Sequence, residues 1–170
     1  VAGSGVTVAI MDTGVDWQHL DLAANYRGNQ GGTVNHSGSW FNAVVPTSTI
    51  PVDNIGHGTH VAGTAVGQNG IGVAPEANWI AVNIADPFGL IWESDVHRGF
   101  EWLLAPNGNP ALAPDVVNNS WGTSLPSTWF VEDIAALHAA NIQVVFSAGN
   151  SGPFTSTIGY PAGNPGVLSV

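Results

Sequence analysis

Short apolar runs alternate with longer amphipathic stretches along this chain. Runs rich in β-branched residues predict buried strands at residues 6–11, 80–84, 114–117, 142–146 and 167–170. Between them, apolar residues recurring near helical spacing predict helices at residues 60–67, 94–104 and 128–140, the last closed by Asn141. Strands that alternate with helices predict an α/β fold, with a mainly parallel β-sheet covered by helices on both faces.

The stretch from residue 25 to residue 54 departs from this pattern. It is rich in Gly, Asn, Ser and Thr and contains one aromatic island, Trp40-Phe41. These features predict loops with one irregular strand. Because the chain has no internal repeat and no run of like charges, we expect residues 1–170 to form a single domain.

Charged residues are scarce and mostly acidic. They make up 8% of the chain, and two Lys+Arg against twelve Asp+Glu give a formal net charge of −10. Binding to nucleic acid or to an anionic membrane needs a basic surface, so both kinds of partner are excluded. The absence of cysteine excludes thiolate catalysis and cysteine-ligated zinc. No apolar run in the sequence reaches the length of a membrane span.

Three segments at predicted strand or helix ends contain residues capable of chemistry. Asp12 directly follows the first strand, His57 lies between two glycines at the start of a helix, and Asn150 follows a strand that ends in small residues. Each has a purely structural alternative, a turn for Asp12 and Asn150 and a helix cap for His57. His57 and His60 could also share a metal ion, but the zinc signature His-Glu-x-x-His is absent and no third ligand is evident.

The three segments suggest one site when they are considered together. Because sites in an open parallel sheet collect at the carboxyl ends of the strands, we expect Asp12, His57 and Asn150 to converge at one edge. The carboxylate would orient the histidine and stabilise its protonated ring, and the histidine would take a proton from a hydroxyl group. The amide would stabilise a tetrahedral intermediate. This combination is typical of nucleophilic catalysis by a hydroxyl group.

Residues 8–16, 56–64 and 147–150 resemble motifs of the subtilisin-like serine proteases, the subtilases. Their sequences are Val-Ala-Ile-Met-Asp-Thr-Gly-Val-Asp, Gly-His-Gly-Thr-His-Val-Ala-Gly-Thr and Ser-Ala-Gly-Asn. Residues 72–75 and 119–122 are also similar to segments of that family, so the resemblance extends over nearly the whole chain. It implies the subtilisin-like form of the α/β fold and a serine endopeptidase that uses an Asp-His-Ser triad.

The resemblance implies a role for each matching residue. Asp12 would be the triad acid, His57 the general base and Asn150 the oxyanion donor. Two short strands and a pocket wall would hold an extended peptide substrate: Gly89, Leu90 and Ile91 on one side, Ser120, Trp121 and Gly122 on the other, and Ala148 with Gly149 in the wall of the first specificity pocket.

The nucleophilic serine of the family is not found in this sequence. In the family it lies in a Gly-Thr-Ser-Met-Ala-type motif several tens of residues after the oxyanion asparagine, whereas twenty residues follow Asn150 here. Gly122-Thr123-Ser124 is similar to that motif, but it precedes Asn150 and continues the predicted substrate strand, so Ser124 is rejected as the nucleophile.

Without the nucleophile motif, we expect a catalytic domain that is truncated at its C-terminus and inactive as a fragment. We also expect exposed apolar surface that self-associates or pairs with the missing segment.

The family also suggests where the protein acts and which ions it binds. Most members are secreted, none needs a cofactor for catalysis, and many bind structural calcium. Asp16, Asp21 and Asp53 are the candidates for calcium here, although the loop at residues 67–72 looks shorter than in calcium-binding members. No residue is assigned as a metal ligand.

Two other classes of protein share some of these features. An aspartic protease would need a second Asp-Thr-Gly segment and an all-β fold, and the sequence predicts neither. A non-catalytic peptide-binding module related to the subtilases would keep the groove without turnover. The presence of acid, base and oxyanion donor together favours the enzyme, because a protein that only binds peptides does not need all three.

Overall fold

Six parallel strands form the centre of the molecule. The computed structural model describes residues 2–170, with Gln30 described by its backbone alone. The main sheet has the strand order β4-β5-β1-β6-β7-β8, with every neighbouring pair parallel, and β2 and β3 form a separate antiparallel pair. The elements in chain order are β1 (Thr7–Asp12), β2 (Asn29–Gln30), β3 (Thr33–Val34), β4 (Trp40–Asn42), α1 (His57–Val66), β5 (Asn78–Asn83), α2 (Glu93–Leu104), β6 (Val116–Asn119), α3 (Val131–Ala139), β7 (Gln143–Phe146) and β8 (Leu168–Ser169).

Both faces of the main sheet are covered by helices. Because successive side chains of a strand point to opposite faces, Val8 and Ile10 of β1 pack against α1, whereas Ala9 and Met11 pack against α2 and α3. All four side chains are buried. The predicted mainly parallel α/β fold with helices on both faces is therefore confirmed.

The bounds of the helices differ from the sequence-based expectation at one important place. Helix α1 begins at His57, the helix start that the flanking glycines indicate, and three residues before the start at residue 60 that apolar periodicity predicts. Apolar periodicity marks only the part of a helix that packs on the core, and the first turn of α1 contributes polar and glycine residues. Helix α3 is shorter than predicted, and Asn141 follows it with a φ of 61°, as expected for a residue that ends a helix.

The irregular strand predicted around the aromatic island is β4, which contains Trp40 and Phe41 and pairs with β5 at one edge of the sheet. The longest described helix, α2, has 12 residues. No helix in the described part of the chain has both the length and the apolar character to cross a membrane.

Candidate active site

Asp12 and His57 are in direct contact at the carboxyl end of β1. Asp12 is the last residue of β1 and 2% exposed, and His57 is the first residue of α1 with a side chain that is 51% exposed. The His57 Nδ1 lies 2.7 Å from Asp12 Oδ1. Because a carboxylate can only accept a hydrogen bond, Nδ1 carries the proton and Nε2 of the neutral ring is left as an acceptor. The pair therefore presents a basic nitrogen from a fixed ring.

The Asp12 carboxyl group is held in an apolar environment. Burial raises its pKa above the ordinary value, and hydrogen bonds from His57 and from the Thr13 N–H, 2.7 Å from Oδ1, oppose that rise. Its Oδ2 is buried and has no hydrogen-bond partner among the described residues. The negative charge is therefore poorly solvated, and a positive charge on the neighbouring imidazole would relieve this cost.

Two glycines allow α1 to approach β1 closely enough for this contact. A Cβ on Gly58 would overlap the carbonyl oxygen of Gly14 and would approach the Cβ of Asp12 to 3.2 Å. Gly14 has a φ of 95°, in the region that side-chain-bearing residues rarely adopt. The glycine after His57 is thus required by the close packing of the helix against the end of the strand.

Asp53 organises the first turn of α1, a role that the sequence analysis missed when it considered this residue only for calcium. Its Oδ2 accepts hydrogen bonds from the N–H and the hydroxyl group of Thr59, at 2.8 and 2.6 Å. Its Oδ1 accepts from the Gly56 N–H at 2.8 Å and from the Thr13 hydroxyl at 2.9 Å. Thr13 in turn accepts from the Gly58 N–H. Asp53 therefore fixes both segments that position the Asp12–His57 pair. Asp53 lies four residues before α1 and is not its N-cap residue, which is Gly56, so no capping pattern in the sequence marks this role.

We expect Asp53→Asn to lower the free energy of unfolding by about 3 kcal/mol at neutral pH, because the amide nitrogen would face hydrogen-bond donors. Burial alone would raise the pKa of Asp53, but hydrogen bonds from Thr59, Gly56 and Thr13 outweigh it and hold the pKa below its ordinary value. The stabilisation is therefore present above the unfolded-state pKa of about 3.9 and is lost as the pH falls through the lower folded-state pKa. Urea denaturation of both proteins at several pH values measures this difference.

The control for this prediction is Glu76→Gln, which removes an exposed carboxylate of the same charge. We expect it to change stability by less than about 0.5 kcal/mol. An equal loss in the two variants, or a loss for Asp53→Asn that does not shrink in acid, would contradict the role given to Asp53.

Asn150 and the predicted pocket wall lie at the same edge of the sheet. Strands β1, β6 and β7 are neighbours and parallel, so the residues that follow them share one edge. The exposed Asn150 borders a cavity of about 240 Å³. Ser120, Trp121, Gly122 and Gly149 also line this cavity. Of the predicted pocket residues, Ala148 donates its N–H to the Val170 carbonyl group at 2.7 Å, which holds this wall beside the last strand.

The segment Ser120–Trp121–Gly122 has an unpaired backbone. It lies between the end of β6 and Thr123, which pairs with Tyr160. Within the described residues, none of its backbone groups forms a hydrogen bond with another backbone group. Such an edge can accept an extended peptide as an additional strand.

The opposing segment, Gly89–Leu90–Ile91, is exposed and follows a tight turn. Asp86 closes this turn: its N–H donates to the Leu90 carbonyl group, and its Oδ1 accepts from the Leu90 N–H at 3.0 Å. Ile91 forms an antiparallel bridge with Ala85. Of the three predicted residues, Ile91 lines the second cavity described next.

Trp121 separates the cavity beside Asn150 from a more apolar cavity of about 290 Å³. The second cavity is lined by Ile91, Val96, Trp129, Phe130 and Tyr160, among others. The Trp121 indole N–H donates to the Met11 carbonyl group at 2.9 Å, and its ring packs edge-on against Phe146. Trp121 is thus a fixed wall shared by both cavities.

The two remaining expectations concern Ser124 and calcium. Ser124 is exposed and lines the cavity beside Asn150, and no hydrogen bond joins it to His57 in the described part of the chain.

The three calcium candidates accept hydrogen bonds from donors of the protein. Asp21 Oδ1 accepts from the Asn69 side-chain amide at 2.7 Å, and Asp16 accepts from the Gln18 N–H at 3.0 Å. Both oxygens of Asp53 accept the hydrogen bonds described above. Among residues 2–170, no three acidic or histidine side chains cluster around a metal position. Each of the three carboxylates therefore accepts at least one hydrogen bond from within the protein.

Comparisons with known proteins agree with the geometry. The family model described as the subtilase family matches residues 3–170. Bacillopeptidase F of Bacillus subtilis (strain 168) is 41% identical over 98% of this chain, and subtilisin E of the same organism is 38% identical over 99%. The minor extracellular protease Vpr, also from Bacillus subtilis, is 33% identical over 99% of the chain. The chain spans 12%, 41% and 20% of these three proteins, respectively.

Proposed function

The chain belongs to the subtilase family, and on this premise we propose that it forms the acid, base and oxyanion-donor part of the catalytic centre of a serine endopeptidase. The contact between Asp12 Oδ1 and His57 Nδ1 is the observation that supports this proposal best. It leaves the half-exposed ring with its free nitrogen directed away from the buried carboxylate, as a general base requires.

Each residue has a defined part in the proposed reaction. His57 Nε2 takes the proton from the hydroxyl group of a serine supplied from outside these 170 residues, and the serine oxygen attacks the peptide carbonyl carbon. Asp12 holds the imidazole in the required tautomer and stabilises the imidazolium ion. Asn150 donates a hydrogen bond to the oxyanion, and the imidazolium ion then returns the proton to the leaving amine. The chain alone has no assigned nucleophile and is inactive by itself in this proposal.

The proposed substrate is a peptide in extended conformation. It pairs with the free backbone of Ser120–Trp121–Gly122 on one side and lies along Gly89–Leu90–Ile91 on the other. The two cavities separated by Trp121 take substrate side chains, one bordered by Ala148 and Gly149 and the other more apolar. Hydrogen bonds to the backbone would supply affinity, and the two cavities would supply preference.

Two further proposals concern the setting of the enzyme. We place it outside the cell, where the name of one relative, the minor extracellular protease Vpr, places that protein. We also propose that another segment, or a second copy, covers the apolar surface near β8. This strand lies at the edge of the sheet, and Leu168 and Val170 are exposed there.

A serine-reactive fluorophosphonate probe tests the proposed chemistry. We expect labelling of the active protein at a serine outside these 170 residues, with no labelling of this chain by itself, because the probe reacts with a serine activated by a base. Heat-denatured protein is the control for non-specific reaction. Labelling at Ser124 would overturn the assignment of the nucleophile, and a folded but unlabelled full-length protein would favour a non-catalytic peptide-binding module.

A further inference from the structure

Arg27 is a cation without an acidic partner. The chain contains two Lys+Arg residues, and the other one, Arg98, pairs with Asp95 on helix α2. Among the described residues no carboxylate lies within ion-pair distance of Arg27, although the chain has twelve acidic residues. The Arg27 side chain is partly buried, and burial lowers its pKa. A charge in this position lacks both full hydration and a counter-ion.

The contacts of Arg27 leave part of its guanidinium group unused. Nε donates to the Ser39 hydroxyl group at 3.3 Å, Nη1 donates to the Leu112 carbonyl group at 2.8 Å, and Nη2 donates to the Gly38 carbonyl group. A guanidinium group has five N–H donors, so one N–H on each terminal nitrogen is without a partner among the described residues. A carboxylate accepts two such hydrogen bonds side by side.

A cavity of about 260 Å³ is lined by Arg27 together with Ser37 and Ser39. It shares Asn35, Ser37 and Asn107 with a neighbouring cavity of about 400 Å³. We call the two adjacent cavities the edge groove, because they lie beside β4 at the edge of the sheet.

The second cavity of the edge groove has an aromatic wall. Phe41 and Trp102 stack with ring centroids 5.5 Å apart and an interplanar angle of 9°, and both line the cavity. Ile50 lines it as well and is 59% exposed. The edge groove therefore combines a cation at one end with a flat apolar surface at the other, and its total size is in the range of small-molecule sites.

We propose that the edge groove binds a monocarboxylate that also has an aromatic or branched apolar group, such as the C-terminal end of a peptide. The carboxylate would bind the two unused N–H groups of Arg27, and the apolar group would pack on Phe41 and Trp102. Of the two Lys+Arg residues in the chain, Arg98 is paired with Asp95, so Arg27 is the one left to pair with such an anion. This site is separate from the Asp12–His57 pair and does not rest on the proposed peptidase activity.

Calorimetric titration of the full protein tests the proposal with three matched compounds. N-acetyl-phenylalanine has the carboxylate and the ring, its amide lacks the charge, and N-acetyl-glycine lacks the ring. The measurements use protein with His57→Ala, so that no compound is turned over. We expect the amide and N-acetyl-glycine each to bind at least about tenfold more weakly than N-acetyl-phenylalanine, since a charged hydrogen-bonded pair and a buried ring are each worth about one such factor. Equal binding of the acid and its amide would overturn the proposal.

Two substitutions assign the binding to the edge groove. Arg27→Gln should abolish binding of N-acetyl-phenylalanine, whereas Arg98→Gln, which removes the paired arginine, should leave it unchanged. Because Arg27 also holds two backbone carbonyl groups, Trp102→Leu provides a second variant that leaves those hydrogen bonds intact and should remove the preference for the ring. Binding that neither Arg27→Gln nor Trp102→Leu weakens would place the ligand elsewhere and refute the site. Phenylacetate distinguishes the two sources of such a carboxylate: tighter binding than N-acetyl-phenylalanine supports a free aromatic acid, and weaker binding supports a peptide end.

Discussion

In the full-length protein, and on the proposed peptidase function, replacing His57 with alanine is expected to lower kcat for peptide hydrolysis by about 10⁶-fold, the size of the loss when subtilisin loses its catalytic histidine. The physical reason is that the serine hydroxyl group would have no base at hydrogen-bond distance, and the buried Asp12 would lose the donor at 2.7 Å. Steady-state kinetics with a chromogenic peptide measures the loss, and KM should change little because the substrate-binding backbone is untouched.

His60 offers a matched control for this experiment. It is an exposed histidine on the same helix, three residues further along, and it forms no side-chain hydrogen bond with the described residues around Asp12. His60→Ala should keep kcat within about twofold of the unchanged protein, as is usual for a surface substitution. If both variants lost activity equally, the general base would have to be sought outside α1.

Asp12→Asn is expected to lower kcat by about 10⁴-fold. An asparagine fits the same space, but it can offer its N–H₂ group to Nδ1, which favours the ring tautomer whose Nε2 carries the proton and cannot act as a base. The variant also loses the negative charge that stabilises the imidazolium ion. Kinetics at neutral and alkaline pH measure both consequences, and circular dichroism shows whether the fold is kept.

Asp16→Asn is the control for the charge alone. Asp16 lies four residues further along, is exposed, and contacts only the Gln18 N–H at 3.0 Å through its side chain. We expect it to keep nearly full activity. A loss of less than about tenfold for Asp12→Asn would mean that the carboxylate neither sets the tautomer nor stabilises the ring charge.

The Asp12–His57 contact could be expected from the sequence because short-range rules position both residues. The apolar run of β1 ends at Asp12, and the glycines around His57 mark a close approach at a helix start. Neighbouring parallel strands then bring their carboxyl ends to one edge. These rules use strand ends and local composition, and both are readable without knowledge of tertiary contacts.

Asp53 and Arg27 could not be assigned from the sequence in the same way. The five hydrogen bonds to Asp53 join it to Thr13, 40 residues earlier in the sequence, and to residues that lead into α1, and no capping pattern marks them. The edge groove depends on Leu112, which is 85 residues from Arg27 along the chain. Such long-range contacts have no local pattern, because their partners come together only when the sheet has formed.

The position of β1 in the sheet also affects how the molecule folds. It is the first strand in the sequence, yet it lies in the interior of the sheet, where Val8 pairs with Trp79 of β5 and with Val116 of β6. Each pairing closes a loop of many residues between β1 and its partner strand, and the entropy lost in closing this loop must be overcome before the pairing stabilises the chain. We therefore expect folding of this topology to be slow. During synthesis one edge of β1 stays unpaired until β5 (Asn78–Asn83) is made and the other until β6 (Val116–Asn119) is made, which exposes an apolar strand to aggregation. Because Asp12 ends this strand, we expect the Asp12–His57 pair to assemble only once β1 is held in the sheet.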